Sequence, residues 1–205
     1  MSSWPDWLPL RDDLRKLSPY GAPQVPAEAT LNTNENPYPP SAELVSAIAS
    51  RIALVATNLN RYPDRDALKL RQGLATFINS QSGINSTKDN IWAANGSNEI
   101  IQSLFLAFGQ GPAIGFLPSY SMHPLIAQVT GVAWINGERR SDFSLDIAAA
   151  VQQIKLTAPS LTFITTPNNP TGTTLQIAEI EELAAATTSL LVVDEAYAEF
   201  SDEIS

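Results

Sequence analysis

The chain contains no cysteine, which removes disulfides, thiolate catalysis and cysteine-based zinc sites from consideration. It contains one histidine, His123. A Ser-His-Asp relay would have to run through that residue, and no G-x-S-x-G elbow supplies a nucleophile. At the start of a helical stretch, His123 reads as a surface or capping residue. No apolar run reaches the roughly 18–20 residues that span a bilayer. Residues 1–7 also lack the basic and apolar regions of a signal peptide. A cytoplasmic protein with no membrane partner is the expectation.

Positive charge is scarce, with 12 Lys and Arg against 21 Asp and Glu and a formal net charge of −9. A nucleic-acid partner, which needs a basic face, is not expected. Beyond Lys155 there is no Lys or Arg at all. The cationic partners of an anionic ligand must therefore lie earlier in the chain, on another subunit, or beyond residue 205. The G-x-x-x-x-G-K-[ST] loop is missing too, so Leu191-Val192-Val193-Asp194-Glu195 does not read as the magnesium site of an ATPase.

The chain has 205 residues, 44% of them hydrophobic, enough for a substantial core. Prolines are dense in residues 1–40 (Pro5, Pro9, Pro19, Pro23, Pro26, Pro37, Pro39 and Pro40), which predicts an extended arm holding at most a short turn over 12–17. Residues 41–85 read as a helical segment. Ser41 is its N-cap, and Leu44, Ile48, Ile52 and Val55 form one apolar face. A second amphipathic helix runs through Leu70, Leu74, Phe77 and Ile78.

From residue 86 strands and helices alternate. Strands are expected at 91–94, 113–117, 132–135, 161–165 and 190–193. Helices are expected at 98–108, 122–130, 146–155 and 177–186. Such alternation predicts an α/β domain, a mainly parallel sheet with helices on both faces. It stops directly after a strand and its loop, so the chain reads as the first half of a longer protein.

Two segments carry the strongest chemical signal. Thr166-Pro167-Asn168-Asn169-Pro170-Thr171-Gly172 and Leu191-Val192-Val193-Asp194-Glu195-Ala196-Tyr197 each contain or follow an apolar run, with a helix between them. Consecutive parallel strands would deliver Asn169, Asp194 and Tyr197 to the edge where open α/β sheets bind ligands. An amide, a carboxylate and a phenol suit an aromatic heterocycle with a ring nitrogen and a hydroxyl. A carboxylate at the mouth of a buried strand is costly unless partnered, and a pyridinium N–H would partner it. The plainer alternative is a capping Asp194 with Tyr197 in the core. Asn95-Gly96-Ser97-Asn98-Glu99, between a strand and a helix, reads as an anion site made of Gly96, Ser97 and Asn98, or as a simple cap by Ser97 or Asn98. Tyr120, after the next strand, could stack on a flat ligand or merely occupy a turn.

Together with Leu31-Asn32-Thr33-Asn34-Glu35-Asn36-Pro37 and Arg61-Tyr62-Pro63-Asp64, these segments resemble a fold-type I pyridoxal-phosphate enzyme of the aspartate aminotransferase superfamily. Within it they are most similar to the histidinol-phosphate aminotransferases. The resemblance runs from about residue 31 to 200. It implies pyridoxal 5'-phosphate as cofactor, with Asp194 on the pyridine nitrogen and Asn169 and Tyr197 on the ring hydroxyl oxygen. Tyr120 would stack on the ring, and Gly96, Ser97 and Asn98 would hold the phosphate. It implies a homodimer in which Tyr62 reaches the partner's site and Asn36, with the arm, covers a small phosphorylated amino-acid-like substrate.

By the same resemblance, residues 41–85 would contribute to a small domain and the dimer interface, and 86–205 would be the first part of the large cofactor domain. The reaction implied is amino transfer between glutamate/2-oxoglutarate and imidazole-acetol phosphate/histidinol phosphate, in histidine biosynthesis. An aromatic-amino-acid aminotransferase, a phosphothreonine decarboxylase and a non-catalytic scaffold share the ring-binding residues. The Schiff-base lysine of the family follows the Asp-Glu-Ala-Tyr segment. Lys16, Lys69, Lys88 and Lys155 do not match its position, so the 205-residue chain alone is expected to be inactive.

Overall fold

The computed structural model describes residues 4–5, 7–17, 21, 25–29 and 32–202. Pro19, Pro23 and Leu31, used in the sequence reading, lie outside them. Two compact units divide the chain, Met1–Ala67 and Leu68–Ser205.

The first unit holds a turn at residues 12–16 and helix α1, Ala42–Ala56. Ser41 caps this helix as expected, its hydroxyl accepting from Leu44 N–H at 3.2 Å. No α1 residue is buried, and Leu44, Ile48, Ile52 and Val55 stay 44–57% exposed.

The second unit opens with α2, Leu68–Ser82, followed by α3, Ser97–Phe108. Strand β1, Ala113–Leu117, then leads into α4, Met122–Thr130, and β2, Trp134–Glu138. Next come α5, Ile147–Thr157, and β3, Leu161–Thr165. The chain continues through α6, Ile177–Ala186, to β4, Leu190–Asp194. The sheet is parallel throughout, in the order β2-β1-β3-β4. The run 91–94, expected as a strand, is not one. Arg71 Nε donates to the Ile91 carbonyl at 2.8 Å, and a side chain thus takes a group that a strand would offer to a ladder.

Alternation along the strands sorts the core into two layers, because successive side chains point to opposite faces. Ala113, Leu161 and Phe163 face Ile101 and Phe105 of α3 and Ile126 and Ala127 of α4. Ile114, Phe116 and Ile164 face Ala150 and Ile154 of α5 and Leu183 of α6. Helices therefore cover both faces. Moving one way from β1 places α4 on one side. Moving the other way places α5 and α6 on the opposite side, as right-handed crossovers require. The direction changes between β1 and β3, and the loops leaving those two strands flank that switch point.

Adjacent β3 residues illustrate what each layer is worth. Phe163 is 1% exposed and stacks on Phe105 with ring centroids 5.1 Å apart. Thr162, on the other face, is fully buried and its hydroxyl has no hydrogen-bond partner among the described residues. Phe163→Ala should cost about 3–5 kcal/mol, the range for a large core truncation. Thr162→Val should gain about 1 kcal/mol by removing an unsatisfied hydroxyl. Urea midpoints of the full-length protein check both signs.

Candidate functional site at the carboxyl ends of three strands

The expected residues of the second unit gather where β1, β3 and β4 end. Asp194 closes β4, and Thr166 N–H donates to its carbonyl at 3.0 Å, continuing the β3–β4 pairing past the registered ladder. The Asp194 side chain lies 11% exposed, with Oδ2 2.9 Å from Nε2 of His123. A carboxylate offers only acceptors, so Nε2 carries the proton. Oδ1 accepts from Ala196 N–H at 3.2 Å. Burial pushes this carboxyl up. The His123 hydrogen bond and charge, with the Ala196 amide, outweigh burial and hold it below its ordinary 3.8.

His123 is itself 2% exposed. Its ring meets Phe163 at 4.8 Å, Tyr120 edge-on at 5.3 Å and Trp134 at 6.4 Å. Tyr120, on the loop after β1, also donates its hydroxyl to Asn98 Oδ1 at 3.2 Å, joining that loop to the start of α3. There, Gly96 occupies the N-cap with φ +82 and no side-chain cap. Such a conformation favours glycine, and a Cβ at Gly96 would meet nothing within 4 Å. Ser97 is the first helical residue, so neither it nor Asn98 is the cap. Ser97, Asn98 and Glu99 in the first turn of α3 are exposed, and the Asn95 N–H, just before the helix, donates to Glu99 Oε2 at 2.7 Å.

Asn169 follows β3 on the neighbouring loop, half-buried, and its side-chain amide takes no partner among the described residues. Tyr197 lies on the loop after β4, half-buried, its ring 6.4 Å from Phe200. Asn36 and Tyr62 belong to the other compact unit. Asn36 Oδ1 accepts from Tyr38 N–H at 3.0 Å in a local turn, and Tyr62 is fully exposed.

Known proteins decide the family. The "Aminotransferase class I and II" family matches residues 28–204. The chain belongs to that family. It is 56% identical over 201 residues to the histidinol-phosphate aminotransferase of Thermobifida fusca (strain YX), covering 97% of this chain and 53% of that protein. The chain thus spans about half the length of the curated relatives it matches.

Among solved structures, the aspartate aminotransferase from Thermus thermophilus with maleate gives a TM-score of 0.73 at 22% identity, over 85% of this chain and 48% of that one. The histidinol-phosphate aminotransferase from Sinorhizobium meliloti in complex with pyridoxal-5'-phosphate gives 0.64 at 22% identity, over 79% and 42%. At these identities the two establish the fold, the fold-type I architecture expected from the motifs.

Within this aminotransferase-family chain, sequence reasoning misplaced His123 and passed over Asn168. His123 was expected at the surface, but the structure buries it because Asp194 compensates its ring nitrogen and three aromatic rings surround it. The helical period held the clue. His123, Ile126 and Ala127 stand at i, i+3 and i+4, and all three are the buried residues of α4. Asn168 is 2% exposed, with both Nδ2 protons placed, on the Pro118 carbonyl at 3.0 Å and on Thr171 Oγ1 at 2.7 Å.

The Asp194–His123 pair generates a prediction with a defined sign. His123→Phe keeps the ring packing but strips the carboxylate of its buried partner, and should cost about 1–3 kcal/mol. Because the native value of Asp194 is depressed, its contribution is present above the ordinary carboxyl value and lost as pH falls through the native one. Acid unfolding should show the stability gap between wild type and Asp194→Asn closing as pH drops below 3.8.

Proposed function

We propose that the chain is the N-terminal part of a pyridoxal-phosphate-dependent aminotransferase that exchanges an amino group between glutamate/2-oxoglutarate and histidinol phosphate/imidazole-acetol phosphate. The observation that carries the reading is the Asp194 carboxylate, buried at the end of β4 and kept anionic by His123. The 56% identity to the T. fusca enzyme supports the substrate choice.

The residues fit the cofactor's chemistry. Asp194 offers an acceptor for a protonated ring nitrogen, and His123 holds that carboxylate in place from behind. Asn169 offers an uncommitted amide for the ring hydroxyl oxygen, with Tyr197 assigned beside it. Tyr120 presents a ring for stacking, already tied to Asn98. Gly96, Ser97 and Asn98 present helix-start amides and a hydroxyl to a phosphate. Bound pyridoxal phosphate supplies an electron sink at its ring nitrogen. The protein's part is to keep that nitrogen protonated through Asp194 and to fix the plane of the ring.

Asn36 and Tyr62 are assigned to substrate, Tyr62 across a homodimer interface, in a cytoplasmic enzyme of histidine biosynthesis. In the full-length protein, Asp194→Ala should lower kcat at least a hundredfold, as loss of a buried charge aimed at the reacting ring implies. Imidazole-acetol phosphate should be a far better acceptor than phenylpyruvate. Strong turnover of phenylpyruvate with none of imidazole-acetol phosphate would assign the site to an aromatic-amino-acid aminotransferase instead.

A further inference from the structure

A continuous chain of side-chain hydrogen bonds crosses the switch point between β1 and β3, and none of its members has been assigned to a ligand. On the β1 side, Ser119 Oγ donates to Asn168 Oδ1 at 2.8 Å and lies 3.0 Å from Thr165 Oγ1. A serine has one proton, so Thr165 is the donor in that second contact. The same Asn168 gives one Nδ2 proton to the Pro118 carbonyl and the other to Thr171 Oγ1.

Thr171 and Thr173 hydroxyls lie 3.0 Å apart, and Thr173 donates to the Phe143 carbonyl at 3.3 Å. Thr171 must therefore donate to Thr173. Arg139, just past β2, closes the chain. Its Nη1 reaches Thr173 Oγ1 and the Phe143 carbonyl at 3.3 and 3.2 Å, and its Nε reaches the Phe116 carbonyl at 3.2 Å.

The proton directions leave Asn168 one orientation. Its oxygen must face Ser119 and its nitrogen must face Pro118. Backbone bonds pin the same residue, with Asn168 N–H on the Thr173 carbonyl at 2.8 Å and Gly172 N–H on the Asn168 carbonyl at 2.7 Å. Gly172 at φ +71 allows that tight turn. Tyr120 directly follows Ser119, and Asn169 directly follows Asn168.

We propose that Asn168 is a positioning residue. With Ser119, Thr171, Thr173 and Arg139 it forms a clasp that fixes the spacing between the Tyr120 loop and the Asn169 loop, and so the width of the slot for a flat phosphorylated heterocycle. This rests on the reading given under the proposed function. The clasp touches no ligand itself. It acts through its two neighbours, as outer-shell partners orient the groups that make contact.

The test uses the full-length protein, with hydrogen exchange in the cofactor-free state and pyridoxal phosphate affinity by absorbance titration. Thr173→Val keeps shape but breaks the chain. It should speed exchange in residues 117–123 as well as 166–174, and weaken affinity about three- to tenfold, as the loss of its partly buried hydrogen bonds to Thr171 and Arg139 implies. Asn168→Asp should weaken it at least about tenfold, and Thr173→Ser, which keeps the hydroxyl, should change neither readout. In the Ser119→Ala/Thr173→Val double variant, the losses should not multiply, because both break one network.

Loosening confined to residues 166–174, unchanged affinity, or Thr173→Ser behaving like Thr173→Val would each overturn the clasp. If the wild-type protein does not bind pyridoxal phosphate, the proposed function falls, and the exchange arm alone decides the clasp. Loosening of both loops then upholds it, and loosening of one refutes it.

Discussion

A carboxylate at the end of a buried strand sets the terms for the rest of this structure. Taking Asp194 out of water carries a penalty that no apolar neighbour can offset. The compensation comes from α4, a helix packed on the sheet face that also holds Phe163. For His123 to reach Oδ2, α4 must lie flat on that face with Ile126 and Ala127 inward. Trp134 and Phe163 must also leave a slot of ring thickness. The polar pair and the aromatic packing are one arrangement. A change in either displaces the other, because close-packed interiors transmit small shifts.

Topology then decides where that carboxylate is useful. The order β2-β1-β3-β4 sends the connections from β1 and β3 to opposite faces, which opens a crevice at the sheet edge between them. Asp194 stands one strand away from it, and Tyr120 and Asn169 lie on the two loops that flank it. The α3 start joins through Asn98 and Tyr120. Asn98, Tyr120, Asn169 and Asp194, the residues of the proposed site, therefore come from four separate stretches of chain. The parallel fold brings them to one edge.

Much of this was legible in the sequence, for physical reasons that differ by element. β1, β3, α4 and α6 were readable to the residue. Each couples a clear period to a sharp stop, such as Gly131 after α4 or the Thr-Thr-Pro step after β3. The same signal failed at 91–94, where Ile, Trp and two alanines look like a strand. A strand is defined by a neighbour, and there Arg71 takes the backbone instead. Gly96 was read as part of an anion site or of a helix cap, but its own place at the cap depends on φ, which the sequence does not display. His123 was misjudged because it was read from its place at the helix start and not from its helical phase.

Arg139 shows why overall charge is a poor guide to this site. The chain carries a net charge of −9, which taken alone would repel a phosphorylated ligand. Charges separated by more than about 8–10 Å across solvent are largely screened at physiological salt, so most of the exposed acids contribute little at the sheet edge. What remains is set by groups with restricted access to water. Burial lowers the pKa of Arg139 from its ordinary value, yet a guanidinium stays protonated in proteins. Its described partners are carbonyls and a hydroxyl, not a carboxylate. The Asp194 carboxylate is matched by His123. In the proposed reading an anion at this edge is met by the backbone amides at the start of α3, and the net charge of the whole chain does not decide it.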